Sequence, residues 1–127
     1  MDSRSAAAFA FLAALCLGQN FAALAQEAGD GERQFRQRCA ACHALQAGQN
    51  KAGPHLAGII GRKAGSVEAA RYSRALQKSQ IVWDDDTLDG FLANPRKAVS
   101  GTTMMIGVPN QGQRRAIIDY LKSAAAK

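Results

Sequence analysis

The sequence predicts a single small all-α domain, and three features of the chain support this prediction. Three segments carry apolar residues at the three- and four-residue spacing of one helix face. Runs typical of β-strands are scarce. The stretch from Ala44 to Tyr72 is a glycine-rich loop, which would be unusually long in a domain with an ordinary core. We therefore expect helices joined by long loops.

The first two predicted helices have clear boundary signals. The first runs from about Asp30 to Ala40, with Phe35 and Cys39 four residues apart on one face. The second begins at Asp84 to Asp86, because carboxylates accept hydrogen bonds from the free N–H groups of a helix start and suit its dipole. Pro95 ends this helix, because proline cannot continue the hydrogen-bonding pattern.

The last predicted helix runs from about Gln111 to Ala124. Lys122 and Lys127 favour its C-terminal end, where positive charge suits the helix dipole. The apolar faces of the second and last helices are expected to consist of Leu88, Phe91 and Leu92, and of Ile117, Ile118 and Leu121.

The N-terminal region is typical of a secretory signal peptide. A short polar start precedes an apolar run from Ala6 to about Gly18 and the small-x-small pattern Ala23-Leu24-Ala25. The run is shorter than the ~20 apolar residues that a membrane-spanning helix needs, so an uncleaved anchor is less favoured. We expect a signal peptide at 1–25, cleaved near Ala25, and a periplasmic domain at 26–127 without stable membrane insertion.

The expected mature chain is small and basic. Removing 25 of the 127 residues leaves 102, near the lower limit for a domain that stabilises itself with its own core. The full sequence has a net charge of +6, and losing Arg4 and Asp2 with the signal peptide leaves this balance unchanged. This charge favours acidic protein partners. Export excludes nucleic acid as a partner, and we expect a monomer.

The segment Cys39-Ala40-Ala41-Cys42-His43 places a histidine directly after two thiols three positions apart. A zinc site normally needs two further ligands, and the rest of the mature chain offers only His55. A thioredoxin-like redox pair would follow a strand, whereas helix-forming residues precede this segment. Covalent haem attachment is favoured, because each thiol can add to a haem vinyl group while His43 binds the iron. A structural disulfide remains the alternative.

A second iron ligand would decide the function. An open iron face binds gases or peroxide, whereas two strong ligands restrict a haem to electron transfer. Met104 and Met105 lie on a predicted loop about sixty residues after His43. Either could close over the opposite face of the haem. The alternative, that both methionines only fill the core, is less favoured because only His55 competes as a partner for the haem.

The chain closely resembles the class I cytochromes c, in particular small bacterial ones similar to mitochondrial cytochrome c, over about Gly31 to Lys122. The resemblance implies the small cytochrome c fold, with three main helices and loops wrapped around one covalently attached haem c. It also implies a soluble one-electron carrier that is not an enzyme. The matching segments are "GERQFRQRCAACH", "AGPHLAGIIGRKAGS", "YSRALQKSQIVWDDDTLDGFLANPRK", "SGTTMMIGV" and "RRAIIDYLK".

The resemblance also assigns roles to single residues. It implies that Met104 is the second ligand, since Met104 follows Gly101 by three residues as in the family. Met105 is the fallback, because one residue is missing before Gly107. Cys39 and Cys42 would attach the haem. His43 would be the first iron ligand, and the carbonyl of Pro54 would orient that histidine. The haem propionates would accept hydrogen bonds from Arg62, Tyr72 and Trp83.

The chain departs from the family pattern at four positions near this expected site. Phe91 replaces a tyrosine that hydrogen-bonds the methionine sulfur, and Leu76 replaces an asparagine near an internal water. We expect these changes to shift the reduction potential. Ser100 replaces a proline directly before the methionine loop (residues 101–110), and this change should make the loop easier to open. His55 is interpreted as a loop residue.

The resemblance implies acidic redox partners, such as quinol–cytochrome c oxidoreductase and a terminal oxidase; photosynthetic partners remain open. Basic residues around the haem edge would steer such encounters. The main alternative function is a haem enzyme or gas sensor with a labile methionine, such as a peroxidase. The candidate steering residues are Arg38, Lys51, Arg96 and Lys97.

Overall fold

A computed structural model of the chain describes residues 30–125, so the predicted signal peptide and its cleavage site lie outside the described residues. Within that range no strand forms, and a single antiparallel β-bridge pairs Lys63 with Val82. The all-α prediction is confirmed. In chain order the helices are α1 (30–38), α2 (Arg74–Lys78), α3 (Asp85–Ala93), α4 (Pro95–Ala98) and α5 (Gln111–Ala125).

The boundary of α3 follows the sequence signals closely. Asp84 is its N-cap and accepts a hydrogen bond from the backbone N–H of Thr87, while the Thr87 hydroxyl accepts one from the backbone N–H of Asp84. This reciprocal capping box satisfies two donors that a helix start leaves free. The predicted stop before Pro95 is confirmed, since α3 ends at Ala93.

The short helices α2 and α4 are absent from the sequence predictions. Both begin at a side-chain cap: Ser73 accepts from the backbone N–H of Leu76, and Asn94 accepts from that of Lys97. Pro95 then occupies the first turn of α4, where its missing N–H costs nothing. A further small difference concerns α1, which ends at residue 38 and continues as a turn.

The helices α1 and α5 approach each other closely. A Cβ atom at Gly31 would overlap the carbonyl oxygen of Ala116 and lie 2.8 Å from Cβ of Tyr120, so glycine is required at this contact. Nearby, the rings of Phe35 and Tyr120 pack at a tilt with 5.7 Å between their centroids. Among residues 30–125, each helix is too short or too polar to span a bilayer.

The core lies between α1, α3 and α5 and continues into the loops. The predicted apolar faces of α3 and α5 are buried, with Ile117 1% exposed. The buried residues of this core include Phe35, Ile59, Trp83, Leu88, Phe91, Leu92, Val108, Ile117, Ile118 and Leu121.

Candidate functional site

The helices, the loop from Ala44 to Tyr72 and the methionine loop enclose a cavity of about 340 Å³, which is lined mostly by apolar side chains. Ligand pockets in proteins typically span about 300–1,000 Å³ and combine apolar walls with a few polar groups. All eight predicted site residues line this one cavity, namely Cys39, Cys42, His43, Pro54, Arg62, Tyr72, Trp83 and Met104.

The two cysteines lie on a tight turn directly after α1. The backbone N–H groups of Cys42 and His43 both donate to the carbonyl of Cys39, at 3.0 and 2.9 Å. Both thiols are free; Cys39 is 8% exposed, whereas Cys42 is exposed. Burial raises the pKa of Cys39 to about 11, although the positive charge of Arg38 acts in the opposite direction. The Cys39 thiol is therefore protonated at neutral pH.

A backbone carbonyl sets the protonation of His43. Nδ1 of His43 lies 2.7 Å from the carbonyl oxygen of Pro54. Because that oxygen can only accept, Nδ1 carries the proton and Nε2 keeps its lone pair. Burial lowers the pKa of His43, and the Pro54 hydrogen bond only partly opposes this effect. His43 is thus a neutral imidazole with a free nitrogen suited to binding a metal.

Gly53 holds the ring of His43 from one side. The backbone N–H of Gly53 donates to the carbonyl of Cys42 at 2.8 Å. This hydrogen bond holds Gly53 next to the turn that carries the two cysteines. A Cβ at this glycine would overlap Cε1 of His43 and lie 2.8 Å from Nδ1. This role of Gly53 is absent from the sequence predictions, because the only signal for it is a glycine directly before Pro54.

Arg62 brings an unsatisfied buried donor to the cavity wall. Its Nη1 donates to the carbonyl of Ala57 at 2.8 Å and its Nη2 to that of His55 at 2.9 Å. Its Nε is buried and has no hydrogen-bond partner among residues 30–125. Burial lowers the pKa of Arg62, which marks a charge that has lost solvation. A carboxylate in the cavity would compensate this buried cation.

Tyr72 and Trp83 lie on other parts of the same wall. The Tyr72 hydroxyl accepts a hydrogen bond from the backbone N–H of Val67 at 3.3 Å, so its own proton remains available to a second group. The backbone N–H of Trp83 donates to the carbonyl of Arg62 at 2.9 Å, which makes these two residues neighbours. Its ring packs against Phe91 with 5.1 Å between centroids. Arg62 and Tyr72 thus bring two donors to the cavity wall that suit acidic groups of a bound cofactor.

The two adjacent methionines have different environments. Met104 is partly buried against the core, and its backbone N–H donates to the buried hydroxyl of Thr102 at 3.2 Å. Met105 is 64% exposed, although it also borders the cavity. Only Met104 is packed as an interior side chain. This difference favours Met104 over Met105 as a ligand to a group in the cavity.

Other residues discussed from the sequence occupy mixed positions. Phe91 and Leu76 line the cavity, whereas Ser100 and His55 do not. Among residues 30–125, no group of three or more His, Cys, Asp or Glu side chains is arranged to hold a metal ion. The apolar side chains that line the cavity but that the sequence analysis did not assign to it include Leu56, Ile59 and Val108.

The candidate steering residues are all exposed. Arg38 borders the cavity, and its guanidinium donates to the side-chain amides of Gln34 and Gln113, at 2.9 and 3.2 Å. The ammonium of Lys51 donates to the carbonyl of Ala40 at 2.8 Å, beside the cysteine turn. At least two positive charges therefore lie near the cysteine side of the cavity.

The chain is similar to known proteins over nearly all of this region. Residues 28–125 match the family model described as Cytochrome c. The chain is 42% identical over 86 residues to cytochrome c2 iso-2 of Magnetospirillum molischianum, covering 67% of this chain and 89% of that protein. It is 41% identical over 98 residues to cytochrome c of Euglena viridis, covering 76% and 96%. Cytochrome c of Arabidopsis thaliana is 43% identical over 98 residues, covering 76% and 88%.

Proposed function

Because the chain belongs to the cytochrome c family, we propose that it carries single electrons on a haem whose iron is bound by His43 and Met104. Family membership makes the chain an electron carrier rather than an enzyme and gives it one covalently attached haem c. The haem supplies a single-electron exchange between ferrous and ferric iron. The remaining roles follow from the residues around the cavity.

Cys39 and Cys42 are the proposed attachment points. Each thiol would add across a vinyl double bond, so that sulfur bonds to one carbon and the thiol hydrogen goes to the other. The turn after α1 supports this role, because both of its cysteines line the same cavity as His43.

The placement of Met104 carries the proposal of two iron ligands. Met104 is partly buried against the core and lines the same cavity as His43, and Met105 is mostly in solvent. His43 offers the lone pair of Nε2, since Pro54 holds the proton on Nδ1. With His43 and Met104 holding it, the iron would favour the reduced form and would leave no position for small external ligands, which would suit a carrier rather than a peroxidase.

Two single substitutions with the same chemical change test this assignment. We expect Met104→Leu to abolish the weak far-red iron–sulfur band of the ferric protein and to allow carbon monoxide to bind the reduced protein. Met105→Leu should leave both properties unchanged. A band that survives Met104→Leu but disappears in Met105→Leu would reassign the ligand. Ready carbon monoxide binding by the wild type would favour a haem enzyme or gas sensor.

The same proposal includes Arg62, Tyr72 and Trp83 as hydrogen-bond donors to the haem propionates. The buried Nε of Arg62, which has no hydrogen-bond partner in the described part of the chain, supports this role most directly. We also propose that a signal peptide directs the protein to the periplasm. There the basic surface around Arg38 and Lys51 would meet acidic redox partners, such as quinol–cytochrome c oxidoreductase and a terminal oxidase.

A further inference from the structure

We propose that Arg114 and Asp89 form a clamp that keeps Met104 on the haem iron, an inference that rests on the proposed function. The clamp is defined by these two side chains. It lies behind the segment that follows Met104 and lines no part of the cavity itself. Arg114 and Asp89 are thus positioning residues that act through the methionine loop.

The ion pair is bidentate and joins a buried arginine to a partly exposed aspartate. Nε of Arg114 lies 2.7 Å from Oδ1 of Asp89, and Nη2 lies 3.1 Å from Oδ2. The arginine side chain is 9% exposed and the aspartate side chain 37% exposed. Paired hydrogen bonds between a guanidinium and a carboxylate impose a defined orientation on both groups. The pair joins the first turn of α5 to the middle of α3.

The remaining guanidinium nitrogen holds the methionine loop. Nη1 of Arg114 donates to the carbonyl of Val108 at 3.1 Å and to that of Pro109 at 2.8 Å. Val108 is 1% exposed, and its own N–H donates to the carbonyl of Leu92 at 2.7 Å. One arginine therefore fixes the end of the loop to both α3 and α5, and Asp89 fixes the orientation of that arginine.

The segment that carries Met104 has few other restraints. Residues 103–107 make no backbone–backbone hydrogen bonds within the described part of the chain. They are held at one end by Thr102, whose N–H donates to the carbonyl of Val99 at 3.1 Å, and at the other end by Val108. Loosening the Val108 end would give Met104 more freedom to leave the iron. Local opening of this kind requires only that the end restraints weaken.

A second ion pair between the same helices provides a matched control. Nζ of Lys122 lies 2.8 Å from Oδ2 of Asp85, so this pair also joins α5 to α3. Both of its side chains are exposed, and among the described residues neither forms a side-chain hydrogen bond to the methionine loop. If the Arg114–Asp89 pair only held the helices together, removing it should change the iron site no more than removing the Lys122–Asp85 pair does.

The test measures how quickly imidazole binds the ferric haem protein in stopped-flow experiments. We expect Arg114→Gln to accelerate binding about tenfold or more, because the charge-assisted hydrogen bonds to the loop are lost. Arg114→Lys should not rescue the slow rate, because an ammonium cannot replace the guanidinium fork. Asp89→Asn should accelerate binding to a smaller extent, and Lys122→Gln should match the wild type.

Asp89→Asn keeps the clamp testable if Arg114→Gln fails to fold, because Asp89 is partly exposed. Equal imidazole rates in Asp89→Asn, Lys122→Gln and wild type would overturn the clamp, provided the wild type shows the far-red band. Equal acceleration in Asp89→Asn and Lys122→Gln would also overturn it, since helix contacts alone would then explain the effect. A wild type without the far-red band would instead overturn the proposed function itself.

Discussion

Replacing Gly53 with alanine tests how tightly the chain holds the ring of His43. The new Cβ would overlap Cε1 of His43 and lie 2.8 Å from Nδ1 and 3.0 Å from Nε2. Heavy atoms do not approach each other so closely, so either the imidazole or the Gly53 backbone must move. The backbone is itself held by the 2.8 Å hydrogen bond to Cys42, and the ring by the 2.7 Å hydrogen bond to Pro54.

The expected cost has two parts. Overpacking of a buried contact costs about 1–3 kcal/mol, and losing one of the two hydrogen bonds costs about 1 kcal/mol. We therefore expect Gly53→Ala to lower the free energy of unfolding by about 2–4 kcal/mol, or Tm by roughly 8–30 °C for a domain of this size. The displaced ring should also change the visible spectrum of the haem protein.

Thermal and guanidinium unfolding of the haem protein, followed by circular dichroism, would measure this effect. Gly90→Ala is the matched control, because Gly90 lies inside α3 and nothing lies within 4 Å of a Cβ built there. Alanine at that position should raise the free energy of unfolding by about 0.5–1 kcal/mol through its better helix propensity. Equal stability of Gly53→Ala and wild type would refute the close packing of His43 against Gly53.

Two further predictions concern salt and pH. Electron transfer to an acidic partner should slow between 0.01 and 1 M salt, because the screening length falls from ~30 to ~3 Å. Reduction by a neutral small molecule should not depend on salt in this way. If the rate with the acidic partner does not change with salt, Arg38 and Lys51 do not steer the encounter. Hydrogen bonds from Thr87 hold the pKa of Asp84 below its usual 3.8. The ionised carboxylate therefore contributes its full stabilisation above about pH 4, and this contribution is lost as the pH falls through the lowered pKa. Asp84→Asn keeps a capping side chain that cannot ionise. The free energy of unfolding, measured from pH 5 to 2, should therefore depend less steeply on pH in this variant than in the wild type. An unchanged pH dependence would contradict the role of the ionised Asp84.

The long helices could be predicted because their apolar periods and end signals are local. Leu88, Phe91 and Leu92 recur at helical spacing, and Asp84 and Pro95 mark the boundaries of α3. The helices α2 and α4 have five and four residues, too few for an apolar period to become visible. Their only sequence signals are the cap residues, which also occur in ordinary turns.

The candidate site could be predicted only in part for a similar reason. The Cys39–His43 segment is contiguous, so its chemistry is evident before any fold is known. Gly53 and the neighbouring positions of Arg62 and Trp83 depend on where the loops run, and hydrogen bonds between loop backbones determine that path. The resemblance to a known family supplied Arg62 and Trp83, but it gave no physical reason for Gly53.

The choice between Met104 and Met105 shows how a residue outside the site can determine which side chain enters it. Gly101 adopts φ +91, a left-handed conformation that favours glycine, and it is followed by the buried Thr102. The backbone N–H of Met104 donates to the hydroxyl of this buried threonine at 3.2 Å, while Met105, one residue further along, is 64% exposed. The partly buried position of Met104 is therefore tied to a buried neighbour by a direct hydrogen bond. The sequence marks both methionines as candidates, whereas this hydrogen bond and the difference in exposure distinguish them.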